Sequence, residues 1–166
     1  MSKPNRLMKI VNTTRHLPAG LQATVLSAAF GRVVPLVGTA GIRYEHISND
    51  KVVCTIKNRR PVQNHIKGVH AAAMALLAET ASGFVAGVNI PDTAMPLIKT
   101  LKVDYKRVAK GDLKAVATLS AEQQKLIQTA EKGEISVPVI VTDETGNSPI
   151  ECEMIWAWVP KKRKSA

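Results

Sequence analysis

Polar and apolar positions change period three times along the chain. From Pro4 to Arg15, Leu7, Met8, Ile10 and Val11 recur at helical spacing, with Pro4 suited to a first turn. Leu17-Pro18-Ala19-Gly20 is a break, and Leu21 to Arg32 predicts a second amphipathic helix with Leu21, Val25, Ala28 and Ala29 on one side. Gly31, Pro35 and Gly38 then interrupt regularity. From Gly41 the period becomes two. Ile42, Tyr44 and His46 alternate with Arg43 and Glu45, Asn49-Asp50 turns the chain, and Val52, Cys54 and Ile56 alternate with Val53, Thr55 and Lys57. A loop from Asn58 to Lys67 leads into an Ala-, Leu- and Met-rich stretch that predicts a helix from about Val69 to Phe84. Period two returns near Ala94, with Leu101, Val103 and Tyr105 on one face. Leu113 to Leu119 is the next strand, and Ala121 to Lys132 is a short helix or an excursion. Ile135 to Val141 is a fifth strand, edge or bulged at Pro138. Ile150 to Trp158 is a sixth, after a turn at Asp143 to Asn147. Two strands, one apolar helix and four strands make an α+β fold, with the lone helix wrapped by the sheet.

The helix carries one carboxylate. At 100° per residue, Ala72, Ala75, Glu79 and Gly83 share a narrow stripe, small-sided apart from Glu79. Leu76, Leu77, Thr80 and Phe84 cover the neighbouring face and suit a core. An acid in a helix meets an arginine more often than it does chemistry. The small stripe and the polar lead-in Asn64-His65-Ile66-Lys67-Gly68-Val69-His70 turn the balance toward function. The amides of Ala71 and Ala72 open the helix without intrahelical acceptors, at the positive end of its dipole. Such amides stabilise an oxyanion. Glu79 lies eight residues on, roughly 12 Å along the axis. One helix cannot aim both groups at one carbonyl, whereas two antiparallel copies related by a two-fold axis could.

Length sets one domain with a sizeable core. Residues 1–37 read as a helical extension, 38–160 as the main domain and 161–166 as a basic tail. No apolar run approaches the ~20 residues of a membrane span, and the N-terminus lacks a secretory pattern, so a cytoplasmic protein is expected. Cys54 and Cys152 lie within strand patterns and read as packed thiols, and no metal-ligand spacing appears. The net charge of +10 admits nucleic acid, an acidic surface or a phosphorylated ligand. Scattered basic residues and scarce aromatics disfavour nucleic acid. Coenzyme A, with its pyrophosphate and 3′-phosphate, needs only a few cations.

Asn64, five residues, then His70-Ala71-Ala72, with Glu79 eight past Ala71, resembles the pattern of PaaI-like thioesterases and the related DUF4442 group, both of the hotdog-fold superfamily. Leu77-Ala78-Glu79-Thr80-Ala81-Ser82-Gly83 and Asp104-Tyr105-Lys106-Arg107-Val108-Ala109-Lys110-Gly111-Asp112 are also similar, and the likeness spans roughly Gly38 to Trp158. It implies a hotdog fold, an antiparallel sheet wrapped around a long central helix, with the two N-terminal helices as an extension. It implies a homodimer or dimer of dimers acting on acyl-coenzyme A, with no cofactor beyond the coenzyme A of the substrate. Carried over, Glu79 is the general base or nucleophile and the Ala71 amide, with that of Ala72, holds the oxyanion. Asn64 positions substrate or water, and His70 contacts the thioester or braces the loop. Thr100 matches a polar residue on the strand after the helix. Arg59, Arg60, Lys106 and Arg107 are candidates for the coenzyme A phosphates, and His65 for substrate contact. The departure is His-Ala-Ala where the family has His-Gly-Gly. The amide survives that change, while the methyl groups narrow access.

Two other readings compete. A 3-hydroxyacyl-thioester dehydratase of the same fold pairs a His and a Glu fourteen residues apart, as His65 and Glu79 are, but the Pro-Gly signature before its helix is missing. A non-catalytic acyl-thioester binding module would keep Glu79 buried and paired.

Overall fold

The computed structural model describes residues 4–161. The basic tail expected at 161–166 lies outside the described residues from position 162 on. Three helices lead: α1 (Arg6–Thr13), α2 (Ala19–Val33) and α3 (Pro35–Ala40). The hairpin β1 (Arg43–Ile47) and β2 (Lys51–Ile56) precedes the central helix α4 (Ala71–Gly87). Then come β3 (Ala94–Tyr105), β4 (Leu113–Thr118), α5 (Ala121–Thr129), β5 (Gly133–Ser136), β6 (Val139–Asp143) and β7 (Ile150–Pro160).

All strand pairings are antiparallel, in the orders β1-β2-β4-β6 and β3-β7-β5. The expected fifth strand is thus two strands. Pro138 has no N–H to offer a ladder, so the chain changes sheets there. Val137 donates to Met154 O at 2.9 Å in one sheet, and Pro138 O accepts from Thr118 N at 3.0 Å in the other. The two sheets therefore form one curved surface, and α4 packs against β2, β3, β4, β6 and β7 inside it. Leu77, Ala78, Ala81 and Val85 of α4 are fully buried there. The helix runs on past the expected end at Phe84 to Gly87, with Val85 and Ala86 buried in the core.

The stretch read as irregular around Pro35 is α3. Pro35 occupies its first turn and Gly41, at φ 69°, ends it in the left-handed conformation. The α2 and α3 backbones touch: a Cβ at Gly38 would lie 2.7 Å from Gly31 O, so packing rather than flexibility requires glycine. The boundary expected after residue 37 falls within α3, and Met8, Val11, Leu26, Phe30 and Val37 join the common core.

Amide side chains close the carbonyl end of α4. Asn89 Nδ2 donates to Val85 O at 2.8 Å, and Asn5 Nδ2 donates to Gly87 O and Ile90 O at 2.7 Å each. Asn5 also caps α1 through Met8 N, which pins α1 across the end of α4.

Asp143 ties the β6–β7 turn to the 106–112 loop. Its buried carboxylate accepts from the Thr145 hydroxyl and amide and from Lys110 N, with Arg107 at 3.7 Å. The Thr145 hydroxyl first, then the two amides and the guanidinium, hold its pKa down from 3.8 to about 2 against the effect of burial. A depressed acid contributes stability above its unfolded pKa and loses it as pH falls through the folded one. Wild-type stability should therefore decline between about pH 4 and pH 2. Asp143→Asn should cost about 1–3 kcal/mol at pH 7 and flatten that acid limb in urea titrations.

Candidate functional site

The lead-in to α4 is a tightly bonded loop. Asn64 Oδ1 accepts from Ile66 N and Gly68 N, both at 3.1 Å, while its backbone N–H meets Gly68 O at 2.9 Å. Lys67 takes φ 62° to complete the turn. His70 is the N-cap: its Nδ1 accepts the Ala72 amide at 3.0 Å, and its carbonyl accepts those of Ala73 and Met74. His70 thus braces the helix start and occupies the Ala72 N–H. The Ala71 amide remains without an acceptor among the described residues. Ala71 lines a pocket of about 360 Å³ with Asn64, Gly68, Tyr105, Lys106 and Arg107, and the Tyr105 hydroxyl donates to Ala71 O at 2.8 Å.

Glu79 stands about two turns further along α4 and faces a different cleft. It is half-buried and has no ion-pair partner among the described residues. Burial raises its pKa above the ordinary value. The cleft, about 230 Å³, is walled by Phe30, Val37, Tyr44, Phe84 and Trp156, with Leu7 of α1 also on its lining. Phe30, Tyr44 and Phe84 pack on one another with centroids 4.6–5.4 Å apart. The Trp156 indole N–H donates to Ser82 Oγ at 3.0 Å, and Ser82 in turn donates to Glu79 O at 3.1 Å. A Cβ at Gly83 would lie 2.4 Å from Trp156 Cζ2, so only glycine lets that ring lie against the helix.

The structure brings Asn64, Ala71, Lys106 and Arg107 together at the helix start. Glu79 is apart from them within one chain. Lys106 pairs with Glu151 at 3.0 Å, and Arg107 with Asp143. Arg59 lies over Gly41 and donates to Thr39 O at 3.2 Å, capping α3, while Arg60 is exposed on a short 3-10 turn (Arg60–Val62). His65 and Ala72 are exposed, and Thr100 follows a register shift in β3; all three are outside both linings. Tyr44 and Thr80, read from sequence as strand and core residues, line the Glu79 cleft. Burial first, then the charges of Cys54 and Glu79, raises the Tyr44 pKa. The signal for Thr80 was its place directly after the acid. For Tyr44 there was none beyond strand alternation. Both cysteines are free thiols, and no cluster of metal-ligating side chains occurs among the described residues.

A curled antiparallel sheet around one central helix, with an acid midway along it and an unpaired amide at its start, defines a hotdog-fold protein of the thioesterase type of architecture. The chain belongs to the family described as a domain of unknown function (DUF4442), whose pattern matches residues 22–159. It is similar in structure to a Pseudomonas aeruginosa protein of unknown function described as a probable thioesterase (26% identity, 87% of this chain and 97% of that one, TM-score 0.74). It also shares its fold with a Haemophilus influenzae thioesterase (13%, 79% and 87%, TM-score 0.62). A Staphylococcus aureus thioesterase has the same fold (18%, 76% and 99%, TM-score 0.63). No curated protein sequence matches the chain. Among the described residues no helix is long and apolar enough to cross a membrane.

Proposed function

We propose that the protein hydrolyses acyl-coenzyme A thioesters at a site assembled from two copies of the chain. The observation that carries this is the separation of one site into halves: the acid's cleft and the unpaired Ala71 amide's pocket lie on one helix but about 12 Å apart. The bare edge of β3 supports the assembly. The opposite edge, β1, is covered by α2, and Tyr44 N of β1 donates to Ser27 Oγ of α2 at 2.9 Å. β3 has no neighbour on its outer side, yet Met95, Leu97, Ile98, Leu101 and Tyr105 along it are 40–51% exposed. A long apolar edge strand is a template for pairing with a second chain. Two-fold pairing there would set two α4 helices antiparallel, each Glu79 facing the other's first turn.

In that arrangement Glu79 takes a proton from water as the water oxygen attacks the thioester carbonyl. The developing oxyanion is held by Ala71 N–H of the partner subunit, reinforced by the helix dipole. Collapse breaks the C–S bond, Glu79 returns its proton to the leaving sulfur, and a free acid and coenzyme A thiol result. Asn64 Nδ2, whose Oδ1 is committed to the loop, is left to position the carbonyl or the water. Lys106 and Arg107 line the pocket where the coenzyme A phosphates would pass, and a phosphate there would compete with their present partners Glu151 and Asp143. The thioesterase designations of its structural neighbours support hydrolysis over the dehydratase reading, as does the exposed position of His65 outside the Glu79 cleft.

A screen of acyl-coenzyme A thioesters, from acetyl to long-chain and aromatic, should show thiol release from at least one, by a protein that sediments as a dimer or larger. Higher melting temperatures without thiol release would assign a binding module instead. Full turnover by a monomer would remove the shared site.

A further inference from the structure

Thr80 is the one buried side-chain polar group among the described residues that meets no hydrogen-bond partner. It is only 6% exposed and lines the Glu79 cleft. Helical threonines ordinarily satisfy their hydroxyl on the carbonyl four residues back. Thr24, Thr39 and Thr129 of this chain do so, to Gly20 O, Pro35 O and Lys125 O at 2.8–2.9 Å. Thr80 does not. The neighbouring polar group in the wall, the Trp156 indole, is already engaged by Ser82. An unpaired hydroxyl buried in the wall of a cleft whose lining is apolar apart from Glu79 and Tyr44 is a group that a ligand oxygen would complete.

We infer that the cleft selects acyl groups bearing a neutral hydroxyl or keto oxygen, received by the Thr80 hydroxyl, with Tyr44 on the same lining. This rests on the acyl-thioester reading and specifies its substrate class. Thr80 can donate to a ketone or alcohol oxygen and can accept from an alcohol, so either substituent fits. A carboxylate in the same place would sit in a largely apolar cleft with Glu79 on its lining and would be repelled. A plain hydrocarbon chain fills the slot but leaves the hydroxyl unpaired. A site built to bond a substrate oxygen rejects the analogue that lacks it far better than an apolar pocket rejects an extra methylene.

The test compares pairs of coenzyme A thioesters that differ by one oxygen on an acyl chain of fixed length, with the oxygen moved from C3 outward. Wild-type protein should favour the oxygenated member of at least one pair by about tenfold or more in kcat/KM. Thr80→Val should lower kcat/KM for that member alone and bring the ratio to about one. Thr80→Ser should keep the preference, and melting temperatures will show that each variant is folded. A wild-type ratio of one at every position, a preference that survives in Thr80→Val, or equal slowing of both members overturns the inference. The same pairs are titrated by thermal shift. A Thr80-dependent preference in binding without turnover would retire the hydrolase and leave this selectivity standing; binding without preference, or none at all, would retire the selectivity.

Discussion

Replacing Glu79 by Gln is expected to lower kcat by about 10²–10⁴-fold while leaving the protein folded and at least as stable as wild type near neutral pH. The amide keeps the shape of the side chain but cannot accept the proton of the attacking water. The stability part follows from the sign of the shift. Burial raises the folded pKa of Glu79 above 4.5. An acid whose folded pKa is raised is most favourable to folding below its unfolded pKa, and that contribution is lost as pH rises through the folded value. At pH 7 the ionised group is therefore a liability that Gln removes. The difference in melting temperature should close toward pH 4. If the proposed hydrolysis holds, wild-type kcat/KM should climb along an acid limb set by the raised pKa of Glu79, and Glu79→Gln should abolish that limb. Unchanged thiol release from the Gln variant would end the catalytic assignment.

Complementation between two inactive variants should restore about a quarter of wild-type activity. Ala71→Pro removes the helix-opening N–H and should cost about 10²–10³-fold in kcat. Proline is well tolerated here. Ala71 is the first helical residue, where the missing N–H breaks no intrahelical bond, and His70, at φ −63° and ψ 144°, already has the extended backbone a following proline demands. In a heterodimer of Glu79→Gln with Ala71→Pro, the intact Glu79 of one chain meets the intact Ala71 amide of the other, and the opposite site carries both defects. Random exchange makes about half the dimers mixed, with one good site in two. The readout is activity after subunits are unfolded together and refolded. Recovery at that level distinguishes a site shared across the axis from one held within a chain, where mixing recovers nothing.

Some of this was legible from periodicity. The long helix, the hairpin before it and the strands after it follow from spacing and turn residues, because secondary structure is largely a local choice between periods of 3.6 and 2. The acid midway along the helix and the amides at its start are likewise visible, since both lie on one segment. Other features needed the third dimension. Pro138 signalled trouble in a strand, but only the neighbours Met154 and Thr118 show that the strand passes from one sheet to the other there. Arg59 looked like a cation free for phosphate, yet it spends its guanidinium on the end of α3. His70 and Ala72 looked like two separate contacts, yet one caps the other.

What the sequence alone determined is the hairpin, the central helix and the run of strands after it, with the position of Glu79 relative to Ala71, because backbone propensity, apolar period and residue count along a helix are local quantities; α3 and the division of the fifth strand were not among them. Tertiary structure decided what surrounds them. It placed Tyr44 from the hairpin, Leu7 and Phe30 from the N-terminal helices and Trp156 from the last strand around one carboxylate, and left Thr80 unpaired among them. The physical reason is that a cleft is made by residues far apart in the chain, brought together by burial of a common core, and no local pattern encodes which of them will meet.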